Sequence, residues 1–363
     1  MTVSDATNAG LRATAACKAV PGEGGLGLHF AELLSSLTVR DELARFYAPG
    51  LSEDVPPGGV VVHSRTAGML LRLPPARFDA RIRAYLGNVL FDRAVTAVLE
   101  PGDRHIGFAG HSLKSFHSAA SAGAELVLVS PTAHVAHARR RYAEAFAQYP
   151  LERPWLGGRL AARTEAEYEL ANTIQIASEY ARESFLEAGV PPERLERIEL
   201  SVSDRFRTAR DGTPEDGVFR IVYTGSLTVA KGVPVLLDAF ARLPVRAAEL
   251  ALVGGWSSRG MRKHVQTAVA RDPRIKVGAA DPLPYLRRAD VYVHPSFQDG
   301  FGYAPMEALS SGIPVIVTED TGMKEHIREG ETGYVVPTGE TDALVERLLA
   351  LSARSARQNP DGR

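Results

Sequence analysis

Residues 295–317 read Pro-Ser-Phe-Gln-Asp-Gly-Phe-Gly-Tyr-Ala-Pro-Met-Glu-Ala-Leu-Ser-Ser-Gly-Ile-Pro-Val-Ile-Val. Two carboxylates, Asp299 and Glu307, stand on either side of a glycine-rich turn, Gly300-Phe301-Gly302. The pattern predicts a helical run from Ala304 to Ser310 and then an apolar strand over Pro314–Val317. Glycines let backbone N–H groups approach a ligand closely, and a helix that begins there points its positive end at an anion. A carboxylate one turn or more into such a helix can accept hydrogen bonds from sugar hydroxyls, as acidic residues do for ribose in dinucleotide folds. The segment therefore reads as a site for a ligand that carries both phosphate and sugar: a nucleotide-sugar.

Strand and helix patterns alternate upstream of this stretch. Phe219–Tyr223, Glu249–Val253, Ile275–Val277 and Val291–His294 read as strands; Val233–Arg242, Arg259–Arg271 and Pro282–Arg288 read as the helices between them. Such alternation predicts a parallel sheet covered on both faces, with ligands beyond the carboxyl ends of its strands. Gly225, Gly254-Gly255, Pro295-Ser296 and Thr318-Glu319 all fall just past those ends, on one rim.

The first half is less regular. Strand-like runs at Gly59–His63, Ile106–Ala109, Leu126–Val129 and Thr173–Ala177 alternate with helical ones at Arg77–Leu99, Ser112–Ala122, His134–Gln148, Ala161–Ala171 and Glu179–Ala188. Earlier, a glycine loop over Val20–Gly27 precedes a helical pattern at Leu28–Leu37, and Asp41-Glu42 sits in a helical-looking stretch. The expected architecture is α/β: two Rossmann-like doubly wound domains, residues 1–203 and 218–349. A polar linker at 204–217 and a polar tail at 350–363 complete the chain.

Composition narrows the function classes. A chain of 363 residues has room for two cores, and 45% apolar with 23% charged residues is ordinary for a soluble globular protein. Lys plus Arg number 42 against 43 Asp plus Glu, so no global field draws in nucleic acid or a membrane. No apolar run approaches the length of a transmembrane helix, and Met1–Ala16 lacks the features of a signal peptide. Cys17 is the lone cysteine, so a reduced, cytoplasmic setting is expected.

Tyr223-Thr-Gly-Ser-Leu-Thr-Val-Ala-Lys-Gly-Val-Pro234 also follows a strand and opens a helix. Gly225 and Gly232 give room there, and Lys231 supplies a cation able to pair with a diphosphate.

With these residues in place, the chain resembles the family 4 retaining glycosyltransferases of GT-B architecture, over roughly Gly22 to Leu349. The most specific part is the family's Glu-x7-Glu element, present as Asp299…Glu307. The resemblance implies two domains facing a cleft and a glycosyltransferase of the hexosyl type. It implies that Glu307 holds the ribose, that Asp299 approaches the sugar ring and that the Gly300, Phe301 and Gly302 amides face the donor. Lys231 matches the diphosphate lysine. Gly225, Ser226, Gly254 and Gly255 complete the donor set, and Gly24-Gly25-Leu26-Gly27 matches the loop that approaches phosphate and acceptor. Three departures stand out: Asp299 replaces the usual Glu, Ser226 replaces an Arg, and the returning C-terminal helix is shortened or missing.

Further residues carry less specific signals. The resemblance makes His134, after the Leu126–Val129 strand, the first candidate to touch the sugar near its reacting centre, with helix capping as the alternative. His111 is the second. His134 and His137 share helical spacing, but no third metal ligand suggests itself, and no Asp-x-Asp motif marks a donor metal. Arg139-Arg140-Arg141 reads as a solvated face, with contact to an anionic membrane not favoured; Glu167 and Arg163 stay unassigned.

The expected reaction transfers a sugar from a nucleoside diphosphate to a hydroxyl acceptor, a small soluble molecule, with retention and without a metal or other cofactor. Two alternatives remain: a non-catalytic nucleotide-sugar binder, and an NAD-dependent oxidoreductase using the early glycine loop. The latter requires a strand before Val20 and an acidic residue that ends a second strand.

Overall fold

The computed structural model describes residues 11–62, 65–74, 77, 79–207, 216–278 and 281–358. The chain divides into two compact units. The first comprises Met1–Pro131, Trp155–Ile176 and Gly189–Leu200; the second comprises Thr132–Pro154, Ala177–Ala188 and Ser201–Arg363.

The first unit is built on a parallel sheet of β1 (Ala13–Ala16), β2 (Leu43–Ala48), β3 (Gly59–Val61), β4 (Arg104–Phe108), β5 (Glu125–Val129), β6 (Thr173–Ile176) and β7 (Leu195–Arg197). Its order is β3-β2-β1-β4-β5-β6-β7. The helices that follow in the same half of the chain are α1 (Gly24–Val39), α2 (Arg65–Leu70), α3 (Ala80–Thr96), α4 (Leu113–Ser121), α5 (Val135–Gln148), α6 (Gly158–Leu170) and α7 (Glu179–Glu187). Phe30 of α1 packs edge-on against Phe46 and Phe108, with ring centroids 6.0 and 5.6 Å away, which fixes α1 on one face of the sheet. The short Ala-rich strand β1 is wholly buried between its neighbours.

The second unit carries β8 (Phe219–Thr224), β9 (Ala248–Val253), β10 (Ile275–Gly278), β11 (Val291–His294), β12 (Val315–Thr318) and β13 (Gly333–Val336), in the order β10-β9-β8-β11-β12-β13 and parallel throughout. Its connecting helices are α8 (Val233–Arg242), α9 (Arg259–Arg271), α10 (Leu283–Arg287), α11 (Tyr303–Ser310) and α12 (Thr341–Gln358). Every residue of β8 and β12 is buried, as continuous apolar strands covered on both faces should be. Helix α5 belongs to this unit: Val135, Ala138, Tyr142, Ala145 and Phe146 form its buried face, and the Tyr142 hydroxyl donates to Gln298 Oε1 at 2.9 Å.

Several boundaries differ from expectation. The helical reading around Asp41-Glu42 is corrected: Asp41 turns the chain with φ 57, and β2 starts at Leu43. Helix α1 starts at Gly24, inside the glycine loop rather than after it. Asp79 caps α3, accepting from the Arg81 and Ile82 amides, so that helix begins after Arg77. In the expected linker, Asp204–Phe206 is a 3-10 turn whose Phe206 is buried in the second unit's core, while 208–215 lie outside the described residues. In the expected tail, α12 continues to Gln358, buries Leu351 and donates from Ser355 Oγ to Asp290 at 2.9 Å. His63 of the expected third strand, and residues 1–10 and 359–363, also lie outside the described residues.

Candidate active site

The rim of the second sheet is assembled by close backbone approach. Gly232 has φ 69, and a Cβ there would lie 1.8 Å from the Pro295 carbonyl oxygen. Only glycine permits that approach, and it lays the loop after β8 against the segment after β11. The Phe297 amide and the Ser296 hydroxyl then donate to the Ala230 carbonyl, at 3.0 and 3.3 Å. The outcome is an ion pair: Lys231 Nζ lies 2.6 Å from Asp299 Oδ2.

The same oxygen is 3.0 Å from His294 Nε2. A carboxylate can only accept here, so Nε2 carries the proton and donates. His294 Nδ1 is buried with no hydrogen-bond partner among the described residues. Burial lowers the pKa of His294, with Asp299 pulling the other way. Burial alone would raise the Asp299 carboxyl, but Lys231 and His294 together hold it well below the usual carboxylate range. Sequence reasoning passed over His294; its place at the carboxyl end of β11, just before the Asp299 motif, was the available signal.

Beyond Asp299, the backbone N–H groups of Gly300, Phe301 and Gly302 find no acceptor among the described residues. Ser178 Oγ donates to the Gly300 carbonyl and anchors the turn. Gly302, with φ 95, is the N-cap residue of α11, so these amides gather at a helix N-terminus, where an anion is favoured. Glu307 lies in α11, half-buried, and makes no side-chain hydrogen bond among the described residues. Burial pushes its carboxyl up to about 7, against the pull of Arg205.

The remaining rim glycines pack loops together. A Cβ on Gly254 would lie 1.8 Å from the Gly225 carbonyl oxygen, whereas Gly255 is exposed and faces open space. Ser226 is exposed, and its carbonyl accepts from the Tyr223 hydroxyl at 2.7 Å. Glu152, which sequence reasoning did not single out, ties these loops: it accepts from the Val229 amide at 2.8 Å, from the Thr228 hydroxyl, and from Ser257 Oγ at 2.5 Å. A groove of about 470 Å³ between β8, β9 and α10 is walled by residues including Arg220, Val222 and Tyr285, and includes none of Lys231, Asp299 and Glu307.

In the first unit, Gly24, Gly25, Leu26 and Gly27 form the opening turn of α1, whose N-cap residue Glu23 makes no side-chain cap. Gly27 allows the Val20 carbonyl to sit where a Cβ would be, 2.2 Å away. A strand does precede this loop, as the oxidoreductase alternative requires. Its acidic residue is misplaced, however, because Asp41-Glu42 lies ahead of β2 rather than at its carboxyl end. Cys17, at the end of β1, is buried, which pushes its thiol up and leaves it unreactive.

His111 is buried, and its Nε2 accepts from the Lys18 amide at 3.1 Å. Burial, with Lys18 and Arg163 adding to it, lowers its pKa to about 3, so it acts as a neutral acceptor. Glu167 and Arg163 hold backbone in place. Glu167 accepts from the amides of Ser112 at 2.8 Å, Leu113 at 2.9 Å and Gly110, while Arg163 pairs with Asp92 and donates to the Gly110 carbonyl at 3.1 Å.

His134 takes the capping role. It is the N-cap of α5, its Nδ1 accepts from the Ala136 amide at 3.3 Å, and its ring meets Phe185 edge-on. His137 contacts Tyr180 and Asp320 instead, so the two histidines face different partners. No group of three or more His, Cys, Asp or Glu side chains converges among the described residues. Arg139 and Arg140 are exposed, but Arg141 pairs with Asp320 and Glu144, so the basic run is not one free face. No helix among the described residues is long and apolar enough to cross a membrane.

Comparison with known proteins adds to this geometry. Residues 218–354 match the family described as Glycosyl transferases group 1. The chain is 27% identical over 365 residues to D-inositol 3-phosphate glycosyltransferase of Geodermatophilus obscurus, covering 91% of this chain and 78% of that protein. Among solved structures it resembles sucrose-phosphate synthase from Thermosynechococcus elongatus, with TM-score 0.72, 18% identity and coverage of 97% and 92%. It also resembles HepE of Anabaena, solved in complex with UDP-glucose, with TM-score 0.70, 17% identity and coverage of 96% and 92%.

Proposed function

We propose, from the premise that the chain is a glycosyltransferase of GT-B architecture whose residues 218–354 form its group 1 domain, that it moves a sugar from a nucleoside diphosphate to a hydroxyl of a small soluble molecule with retention of configuration. The observation that carries this reading is the Lys231–Asp299 pair beside the unbonded Gly300, Phe301 and Gly302 amides, with Glu307 in the helix they open.

In the reaction, the bond between the anomeric carbon and the diphosphate oxygen breaks, and a bond to the acceptor oxygen forms. The diphosphate gains negative charge and takes the acceptor's proton. Lys231, the loop amides and the α11 dipole are aimed at that charge. Asp299 is engaged through Oδ2 by both Lys231 and His294, which suits it to orient sugar hydroxyls through its other oxygen rather than to attack. Retention then follows from displacement on one face of the sugar. Because fixed protein charges meet the leaving group, turnover is expected to survive chelation with EDTA; its abolition by EDTA, restored by a divalent ion, overturns the metal-independent part. The lone buried Cys17 suits a reduced cytoplasmic setting.

The defining test is consumption of UDP- or GDP-sugars with a panel of hydroxyl acceptors, with the anomeric configuration of the product read by NMR. A chain that binds nucleotide-sugar yet consumes none is the non-catalytic binder.

Glu307 gives a pH dependence. Accepting from two ribose hydroxyls, one at each oxygen, is best served by the carboxylate, and its pKa in the free protein is raised to about 7. Nucleotide affinity is therefore weak below that pH and strengthens as pH rises through it, by at most ~10-fold per unit on the acid side. Glu307→Gln should flatten this slope and weaken binding more than it slows the chemical step. Equal affinity in the variant and the parent removes Glu307 from ribose recognition.

A further inference from the structure

Lys18 follows β1, at the point where the order β3-β2-β1-β4-β5 reverses: the chain runs from β1 to β2 on one side and from β4 to β5 on the other. Parallel α/β sheets bind ligands at this switch point, outside the carboxyl ends of the strands. On the neighbouring strand the same rim holds Gly110 and His111.

The Lys18 ammonium is deliberately accommodated there. Its Nζ donates to Asn88 Oδ1 at 2.6 Å, and the Asn88 amide donates to the Gly110 carbonyl at 3.0 Å. Gly87 sits in the middle of α3, and a Cβ there would lie 2.7 Å from Nζ. Glycine within a helix costs about 1 kcal/mol relative to alanine, and here the space it leaves is the ammonium's own seat.

What the ammonium lacks is a counter-charge. Among the described residues no carboxylate pairs with it. Asp92 serves Arg163 and the amides of Lys114 and Ser115, and Glu167 serves those of Gly110, Ser112 and Leu113. Burial lowers the pKa of Lys18, with no neighbouring carboxylate restoring it. A part-buried lysine is ordinarily paired; this one has a single amide oxygen and two N–H groups to spare.

We propose that Lys18, seated over Gly87 and steered by Asn88, recognises an oxyanion, phosphate or carboxylate, carried by the acceptor. The word acceptor rests on the transferase reading above; the oxyanion site does not. The ligand class is thus an anionic hydroxyl compound such as a sugar phosphate or a sugar acid.

The test is calorimetric titration of the full-length chain with glucose 6-phosphate, glucuronate and glucose, and sedimentation with phosphatidylinositol or phosphatidylcholine vesicles. It is run on a Lys231→Ala background, so that the donor-site cation does not contribute. Glucose 6-phosphate or glucuronate should bind where glucose does not, and Lys18→Gln should weaken that binding about 10-fold or more, the range of a charge-assisted hydrogen bond. Gly87→Ala keeps every charge and favours the helix, yet it should cause a similar loss with an unchanged or higher Tm. That combination separates a seated ammonium from general positive charge and from misfolding. Binding confined to phosphatidylinositol vesicles, and lost in Lys18→Gln, keeps the site and places the oxyanion on a lipid headgroup. Anion binding that is absent, or indifferent to both substitutions, overturns the proposal. UDP and GDP titrations on the parent chain test the donor reading separately: lost nucleotide binding with intact glucose 6-phosphate binding defeats that reading alone.

Discussion

Replacing Lys231 with alanine is expected to lower kcat by about 10²–10³-fold, the range seen when a preorganised charge stabiliser is removed from an active site. The effect should fall on kcat more than on KM, because the charge Lys231 meets grows as the diphosphate leaves. The structure adds a second consequence. Asp299 Oδ2 would keep only His294, so its carboxyl would rise toward the ordinary range and its hold on the sugar would loosen. The parent and Lys231→Ala should therefore differ in the acid limb of their pH–rate profiles, with the variant losing activity at a higher pH. A single-turnover rate within a fewfold of the parent would refute the role given to Lys231.

How much of this was legible beforehand depends on whether the controlling interaction is local. Strands β8, β11 and β12 are buried throughout and declare themselves as apolar runs flanked at one end by glycine or proline. The two candidate carboxylates were legible for the same reason, being fixed by one turn and one helix. Strand β1, Ala-Thr-Ala-Ala, has one β-branched residue and is a strand because its neighbours bury it, which no local propensity reports. Strand β2 was masked by Arg-Asp-Glu-Leu-Ala-Arg, good helix formers that the positive φ of Asp41 diverts.

At the site, Lys231 and Asp299 were each legible, but their pairing joins residues 68 positions apart. Glu152 acts only through such long-range contacts, and His294, though near Asp299 in sequence, belonged to no motif of its own. The helical run at His134–Gln148 was legible, but not that α5 would belong to the second unit. The histidines show the same limit: the resemblance brought His134 forward with helix capping as the alternative, and only the fold supplies the cap on the amide of Ala136.

Truncation of Glu167 to alanine is expected to destabilise the first unit by about 3–5 kcal/mol, the cost of leaving buried partners of a carboxylate unmatched. The carboxylate is fully buried, out of contact with bulk water. It accepts from the amides of Gly110, Ser112 and Leu113, and thereby holds both the turn that carries His111 and the start of α4. Alanine would orphan those amides and leave Arg163 with Asp92 and the Gly110 carbonyl among the described residues. Glu167→Gln keeps one carbonyl-type oxygen for Ser112 and Leu113 but turns an amide group toward the Gly110 N–H, so an intermediate loss of about 1–3 kcal/mol is expected. A chain with two units need not unfold in one step, so native-state hydrogen exchange is the suitable measurement. Protection of the Gly110, Ser112 and Leu113 amides should collapse in Glu167→Ala, while β8 and β12 in the second unit keep theirs. Unchanged protection at those three amides would show that the turn is held by something other than Glu167.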